Sequence, residues 1–415
     1  MVEGLQDFGQ ELRRRRQAAG MSLARLGTLV HYSKAQLSKV ERGLKRPTPE
    51  LARLCDVRLA ADGALAGLVP VRPCPAPPPD AGAQGWYHPL GRRQLVFAGA
   101  ASALGVGIAA PAAASELGEP AVLEIARSLF DQFRKLGQVV GPALVLPALT
   151  AQTHSLRDLA LQAGHRGGPG LLSLTSRFAE YAGWMAQEAG DEPGALRWTG
   201  RAVELAAAAG DRDFAAYGLV RQALVTFYRD DSARTIALSH RARAGTRHPR
   251  IAGLAAQQEA QGHALAGDYD ACMRSLEEAR ELLARPDDRP DEPVIGTSHL
   301  PDPVQAATGW CLHDLGCPRQ AAALLDQVTA RIPEHALRMR ARFGVRRALA
   351  HAAAGEVEQA CVVTRELLQP LALVRSATIG TDLRRLAHAL SRHDAVPAVR
   401  ELSPELNVCL RLAGR

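Results

Sequence analysis

The sequence predicts an all-α protein, and its composition and apolar spacing carry that prediction. Hydrophobic residues make up 47% of the 415 residues, yet aromatic residues make up only 4%. Alanine and leucine supply most of the apolar total, and runs of β-branched residues are few. Since both are strong helix formers, helices packed on helices are expected. The length predicts roughly two or three structural units.

Positive charge is concentrated at the N-terminus. The formal net charge is +7, and residues 1–58 carry twelve Lys and Arg against six Asp and Glu. The excess in this stretch is +6, which leaves only +1 for the remaining chain. A basic surface of this kind suits the phosphate backbone of a nucleic acid.

The cysteines and the N-terminal residues predict a cytoplasmic protein. The seven cysteines are scattered, without a C-x-x-C pair or a nearby histidine cluster, so reduced thiols are expected rather than disulfides or a zinc site. Residues 1–20 are polar and charged, unlike a secretory signal peptide.

Residues 8–55 predict four short helices, each bounded by a capping residue, a glycine or a proline. Ser22 and Ser33 precede the second and third helices, where a serine oxygen satisfies a free amide of the first turn. Gly20 and Gly43 follow the first and third helices, where a left-handed residue ends a helix. The predicted segments are Phe8–Ala19, Leu23–Val30, the stretch from Ser33 to Arg42, and a helix from Pro49 through Leu51, Leu54 and Cys55.

Residues 20–54, GMSLARLGTLVHYSKAQLSKVERGLKRPTPELARL, resemble the lambda-repressor-like, xenobiotic-response-element (XRE) family of helix-turn-helix regulators. The segment SKAQLSKVERG is the most specific part of the resemblance. It implies a five-helix DNA-binding head whose third helix enters the major groove. Leu23 departs from the family pattern, which usually has a polar residue, often glutamine, at the start of the second helix.

The resemblance also implies roles for single residues of this head. Glu41 is expected to pair with Arg16 and so tie the third helix to the first, and Gly43 is expected to support the motif. The implied partner is double-stranded DNA, as a palindromic operator bound by a homodimer. The residues expected to face DNA are Ser33, Lys34, Ala35, Gln36, Ser38 and Lys39.

Composition divides the chain into a helix-turn-helix domain at 1–68, a proline-rich linker at 69–92, an apolar segment at 93–115 and a repeat domain at 116–415. Seven of the 26 prolines lie between Val69 and Pro89, which predicts an extended tether. Residues 94–114 lack charge and follow Arg92-Arg93, so a membrane anchor, a displaced twin-arginine export signal and a buried helix are alternatives. Their Ala- and Gly-rich composition favours the buried helix.

Breaks of similar form recur in the C-terminal region. They lie at Gly190, Gly267, Gly316 and Gly355, with a comparable break at residues 229–233. Their spacing is roughly 37 to 40 residues, except where a proline-rich insertion at 286–303 lengthens one interval. A small residue and a turn at this period predict a solenoid of helix pairs. The alternative is a single irregular helical bundle.

The repeats resemble tetratricopeptide repeats, and the whole layout resembles actinomycete regulators and peptide-pheromone receptors. This resemblance implies that the array dimerises or senses a peptide, a small molecule or a protein. Peptide receptors commonly clamp the ligand with asparagines, yet this chain has one, Asn407. The residues that contact an effector are therefore not predicted. The polar candidates are Arg177, Trp184, Arg221, Gln222 and Gln258.

Motifs for catalysis and cofactor binding are missing from the sequence. It has no P-loop, dinucleotide-binding glycine motif, H-E-x-x-H or G-x-S-x-G. We therefore expect a protein that is not an enzyme and needs no metal or cofactor. The main interpretation is a cytoplasmic, nucleoid-associated DNA-binding transcription regulator. The alternative is an interaction scaffold, in the cytosol or at the membrane, with a secondary DNA-binding head.

Overall fold

The computed structural model describes residues 3–30, 34–43, 47, 49–59, 61, 63–69, 119–286, 293–297 and 299–413. All regular elements in these ranges are helices, which confirms the predicted all-α class. Residues 70–92 of the proline-rich linker and the segment 94–114, with its three alternatives, lie outside the described residues. Among the described helices, none is both long enough and apolar enough to cross a membrane.

The N-terminal head consists of five helices. They are α1 (Glu3–Ala18), α2 (Leu23–Val30), α3 (Lys34–Glu41), α4 (Pro49–Leu59) and α5 (Ala64–Gly67). The first helix begins five residues before the predicted Phe8. One apolar core joins the helices; it contains Phe8, Leu12, Leu26, Val30, Leu37, Val40, Leu51, Cys55, Leu59 and Leu65. Burial of these side chains is the main stabilising contribution to so small a unit.

Helices α1 and α3 approach closely at Gly9. A Cβ atom there would lie 2.6 Å from the carbonyl oxygen of Val40 and 2.7 Å from that of Glu41. Since only glycine avoids this overlap, Gly9 sets the distance between α1 and the C-terminal end of α3. The position of α3 within the head therefore depends on a residue of α1.

Within residues 119–286, 293–297 and 299–413, the C-terminal region is an array of thirteen α-helices. The first six are α6 (Glu119–Val139), α7 (Pro142–Glu188), α8 (Glu192–Ala208), α9 (Phe214–Tyr228), α10 (Ser232–Ala244) and α11 (Pro249–Ala266). The others are α12 (Tyr269–Leu283), α13 (Pro303–Asp314), α14 (Pro318–Ala330), α15 (Leu337–Ala354), α16 (Val357–Val374), α17 (Ala377–Leu390) and α18 (Pro397–Ala413).

From α7 onward, consecutive helices form packed pairs, as the recurrent breaks predict. Each of the five predicted breaks lies between the two helices of a pair, from α7–α8 to α15–α16. The glycines at four of them are left-handed, with φ between 75° and 88°. Aspartates then cap the following helices: the Asp191, Asp231 and Asp268 side chains accept from the amides of Gly194, Arg234 and Ala271 at 2.9–3.0 Å.

The array curls until its beginning meets its later pairs. The first helices of successive pairs pack side by side as an inner layer, and the second helices lie outside them. Helix α6 packs against α15 and α16, although more than 190 residues separate them in sequence. The described helices therefore line an internal space on several sides.

A buried arginine holds this closure together. The Arg338 side chain on α15 is fully buried and forms an ion pair with Glu188 on α7 at 2.7 Å. Its Nε donates to the carbonyl of Gly137 at 2.6 Å, and an Nη atom donates to that of Val140 at 2.7 Å. One side chain therefore links the C-terminal end of α6, the C-terminal end of α7 and the start of α15.

Glu188 is the matching acceptor. Its carboxylate accepts from Arg342 at 2.6 Å and from the hydroxyls of Ser376 and Thr378 at 2.7 Å. Burial opposes ionisation, but the two guanidinium groups and the two hydroxyls outweigh it, and the pKa of Glu188 falls to about 2.

The substitution Glu188→Gln should lower the free energy of unfolding by about 3–5 kcal/mol, because Arg338 remains buried without its counter-charge. Urea unfolding measures this, with the exposed Glu366→Gln as control, which should stay within about 0.5 kcal/mol of the parent. Because the folded-state pKa is depressed, the contribution of Glu188 is present above about pH 4.5 and is lost as the pH falls toward 2. Equal stability of the two variants at pH 7 would contradict this role.

Candidate nucleic-acid interface and internal cavity

The helix predicted to read DNA is α3. Leu37 and Val40 are buried in the head core, while Lys39 is exposed and Ser38 is half-buried. Ser33 lies outside the described residues, as do the side chains of Lys34, Ala35 and Gln36. Within the described residues, α3 therefore turns its apolar face inward and presents Lys39 to solvent.

An ion pair fixes α3 on α1. Arg16 donates to both carboxylate oxygens of Glu41, at 2.6 and 3.0 Å, and also to the carbonyl of Met21 at 2.7 Å. Such a bidentate pair is geometrically specific. Gly43 follows with φ 70° and ends α3. The orientation of α3 is thus set by α1 and by the turn that precedes α2.

Two features of the head are typical of a DNA-binding helix-turn-helix: the α2–α3 pair on one core and the exposed Lys39 on α3. A family described as "Helix-turn-helix domain" matches residues 7–68, which span all five head helices apart from the first residues of α1. No curated protein and no solved structure gives a significant match to the chain. The match implies that the head binds DNA.

The head contacts the array through α4. An Nη atom of Arg58 donates to the carbonyl of Gly316 at 2.9 Å, and Val57 lies beside Gly267. Both glycines are left-handed turn residues between paired helices. The head therefore rests on the edge of the array where these turns lie.

Charged side chains form the centre of this contact. The buried Arg53 of α4 lies 3.4 Å from the carboxylate of Asp230, which also pairs with Arg385 of α17 at 3.0 Å. Asp314, at the end of α13, completes the cluster, because Arg53 and Arg385 are the main groups that lower its pKa. Burial has the larger effect and raises the pKa of Asp314 to about 6.

The array encloses a cavity of about 220 Å³. Its wall comes from α6, from the first helices α7, α9, α11, α13 and α15, and from the loop before α13. Aromatic rings supply much of the apolar lining, and arginine and glutamine side chains supply the polar part. The aromatic lining residues are Phe130, Tyr181, Trp184, Phe214, Tyr217, Tyr228 and Phe343.

Four of the five polar candidates from the sequence line this cavity. They are Arg177, Trp184, Arg221 and Gln258, whereas Gln222 lies outside the lining. The sequence could not single out this set, because helical spacing does not say which face of a helix lies on the inner layer.

The loop that lines one side of the cavity was not predicted from the sequence. Residues 294–300 belong to the insertion at 286–303, and all of the described ones line the cavity. Arg134 of α6 donates to the carbonyls of Val294 and Gly296, at 3.0 and 2.8 Å. Arg250 of α11 donates to that of Ile295 at 2.7 Å. The one signal was the longer interval between Gly267 and Gly316.

Within the part of the chain that the structure describes, no group of three or more His, Cys, Asp or Glu side chains is arranged to hold a metal ion. The six described cysteines are free. The cavity therefore offers aromatic surface, amides and cations as its binding groups.

The substitution Asp230→Asn should weaken the contact between head and array. It removes the charge between Arg53 and Arg385, and loss of a partner to a buried charged group costs about 1–3 kcal/mol. Asparagine tolerates the left-handed φ of 58° at this position, so the turn itself should persist. Small-angle X-ray scattering should show a larger radius of gyration, while the exposed Asp394→Asn leaves it unchanged. An unchanged radius in both variants would refute the role of Asp230.

The substitution Asp314→Asn should stabilise the protein at neutral pH. Because the folded-state pKa of Asp314 is raised to about 6, its contribution to stability is greatest when it is protonated and falls as the pH rises from about 4 to 6. A neutral amide avoids that cost, which is about 1–3 kcal/mol. Thermal melts should show a higher Tm for the variant at pH 7.5 and a much smaller difference at pH 4. A difference independent of pH would argue against this explanation.

Proposed function

We propose that the protein is a sequence-specific transcription regulator that binds DNA through α3 and is controlled by its C-terminal array. It would act in the cytoplasm as a homodimer on a palindromic operator, by binding rather than by catalysis. The observation that carries the proposal is the helix-turn-helix match over residues 7–68, on a head whose α3 is held by the Arg16–Glu41 pair. A basic head joined to a nearly neutral array agrees with it.

The array is proposed as a tetratricopeptide-like sensor domain. Two observations support this role: it encloses a cavity, and it contacts the head at α4. A sensor needs both a place for the effector and a physical link from that place to the output domain.

A chain of polar contacts supplies a candidate link. At the cavity wall, Arg346 donates to the hydroxyl of Tyr228 at 3.2 Å and to Asp382 at 3.1 Å. Asp382 lies 3.6 Å from Arg385, on the next turn of α17. Arg385 in turn shares Asp230 with Arg53, the head residue described above. A movement of Arg346 would thus be transmitted through Asp382 and Arg385 to Asp230, the carboxylate that pairs with the head.

DNA binding is tested by mobility shift with the full chain, on duplexes selected from random DNA by the protein itself. Lys39→Ala should weaken binding to all sequences and reduce the slope of log K against log salt by about 0.9, the loss of one phosphate contact. Lys135→Ala, an exposed lysine on α6, is the matched control and should change neither quantity. Gln36→Ala should instead relax specificity at one base pair, by about 1–3 kcal/mol. Equal affinity of the parent for selected and random duplex would refute sequence-specific regulation.

A further inference from the structure

The cavity in the array has the properties of a ligand site. We propose that it binds a small, flat, aromatic molecule that carries hydrogen-bonding oxygen atoms and no positive charge. This inference rests on the proposed function, since it assigns a ligand class to the sensor domain.

The size of the cavity argues for a small molecule. Its volume of about 220 Å³ lies below the roughly 300–1,000 Å³ of sites for drug-sized ligands. A peptide laid along several repeats would need a long groove, but α6 and the loop residues 294–297 take up two sides of this space. The cavity therefore suits a compact molecule of one or two rings.

The apolar walls favour a flat ring. Trp184 lies beside Tyr181, with ring centroids 5.3 Å apart, and Phe214 lies beside Tyr217 at 5.4 Å. Tyr228 and Phe343 add further rings from α9 and α15. Rings at these separations prefer offset or edge-on contacts, so an aromatic ligand gains more here than a branched aliphatic one of equal area.

Two buried amides point to hydrogen-bonding groups on the ligand. Gln138 is 4% exposed and Gln258 is 5% exposed, and both line the cavity. Oε1 of Gln138 and Nε2 of Gln258 have no hydrogen-bond partner. A buried polar atom without a partner costs about 1–3 kcal/mol, so a group that bonds to it is strongly favoured. Hydroxyl and carbonyl groups of a ligand match these two atoms.

The surrounding charge excludes a cation. Five arginines line the cavity: Arg134, Arg177, Arg221, Arg342 and Arg346. The carboxylates paired with four of them are Asp211, Glu180, Glu188 and Asp382. Glu188 also pairs with the buried Arg338, and Asp382 also pairs with Arg385, so six arginines share these four carboxylates and positive charge is in excess at the wall. In keeping with this, burial and then Arg134 lower the pKa of His299 at the same wall. A neutral or negative ligand is therefore favoured over a positive one.

Three probes that share a naphthalene ring and differ in charge test the ligand class. They are 2-naphthol, 2-naphthoate and 2-naphthylmethylammonium, each titrated into the full chain by calorimetry without DNA. The naphthol and the naphthoate should bind at least tenfold more tightly than the ammonium compound. Binding of none of them at millimolar concentration, or equally tight binding of the ammonium compound, would overturn the proposal.

Two variants locate the binding. Leu254→Trp replaces an aliphatic side chain at a half-buried lining position with a bulky indole ring, and it should abolish binding of 2-naphthol and 2-naphthoate. Gln258→Leu removes one amide at similar volume and should weaken both by roughly three- to tenfold, the loss of one hydrogen bond. The exposed Gln359→Leu is the matched control and should bind as the parent does. Thermal melts show that each variant is folded. Unchanged binding in folded Leu254→Trp would place the probes elsewhere and refute the site.

The calorimetric titration tests the ligand site and the mobility shift tests sequence-specific DNA binding, so either proposal can fail while the other holds. Probe binding by a protein with no preference for selected DNA would support the cavity and refute the regulator. Specific DNA binding by a protein that binds none of the probes would do the reverse.

Discussion

The closed shape of the array depends on the buried ion pair between Arg338 and Glu188. Solenoids of helix pairs are held by contacts between neighbours, so their two ends are ordinarily independent. Here one guanidinium joins α6, α7 and α15, and one carboxylate joins α7, α15 and the segment that begins α17. Charges buried this deeply are stable only when all partners are present. The ion pair therefore joins three of the helices that line the cavity, α6, α7 and α15.

The sequence predicted the local structure well where a few residues dictate the backbone. Gly190 and Gly267 end helices through a left-handed conformation, and Asp191 and Asp268 directly after them cap the next helix. The helices of the head and the breaks between pairs follow from such signals. The all-α class follows from composition alone.

The closure and the cavity could not be predicted, because they depend on contacts between distant parts of the chain. Arg338 is one arginine among many, and nothing in its neighbourhood marks it as buried. Its carbonyl partners at Gly137 and Val140 are backbone atoms, which leave no trace in the sequence. The loop at 294–300 was visible only as extra length. The groups that bind a ligand are therefore assembled by tertiary structure rather than by a motif.

The head lies on a row of turns rather than on a single helix pair. Asp230, Gly267 and Gly316 belong to three consecutive pairs, and all three face α4. In a superhelix each pair is rotated by a small angle from the one before, and these angles add along the stack. The contacts of α4 therefore span three consecutive pairs of the stack. A small twist distributed over several pairs would therefore displace the three contact points of α4 by different amounts. Helix α4 could not keep all three contacts at once without moving.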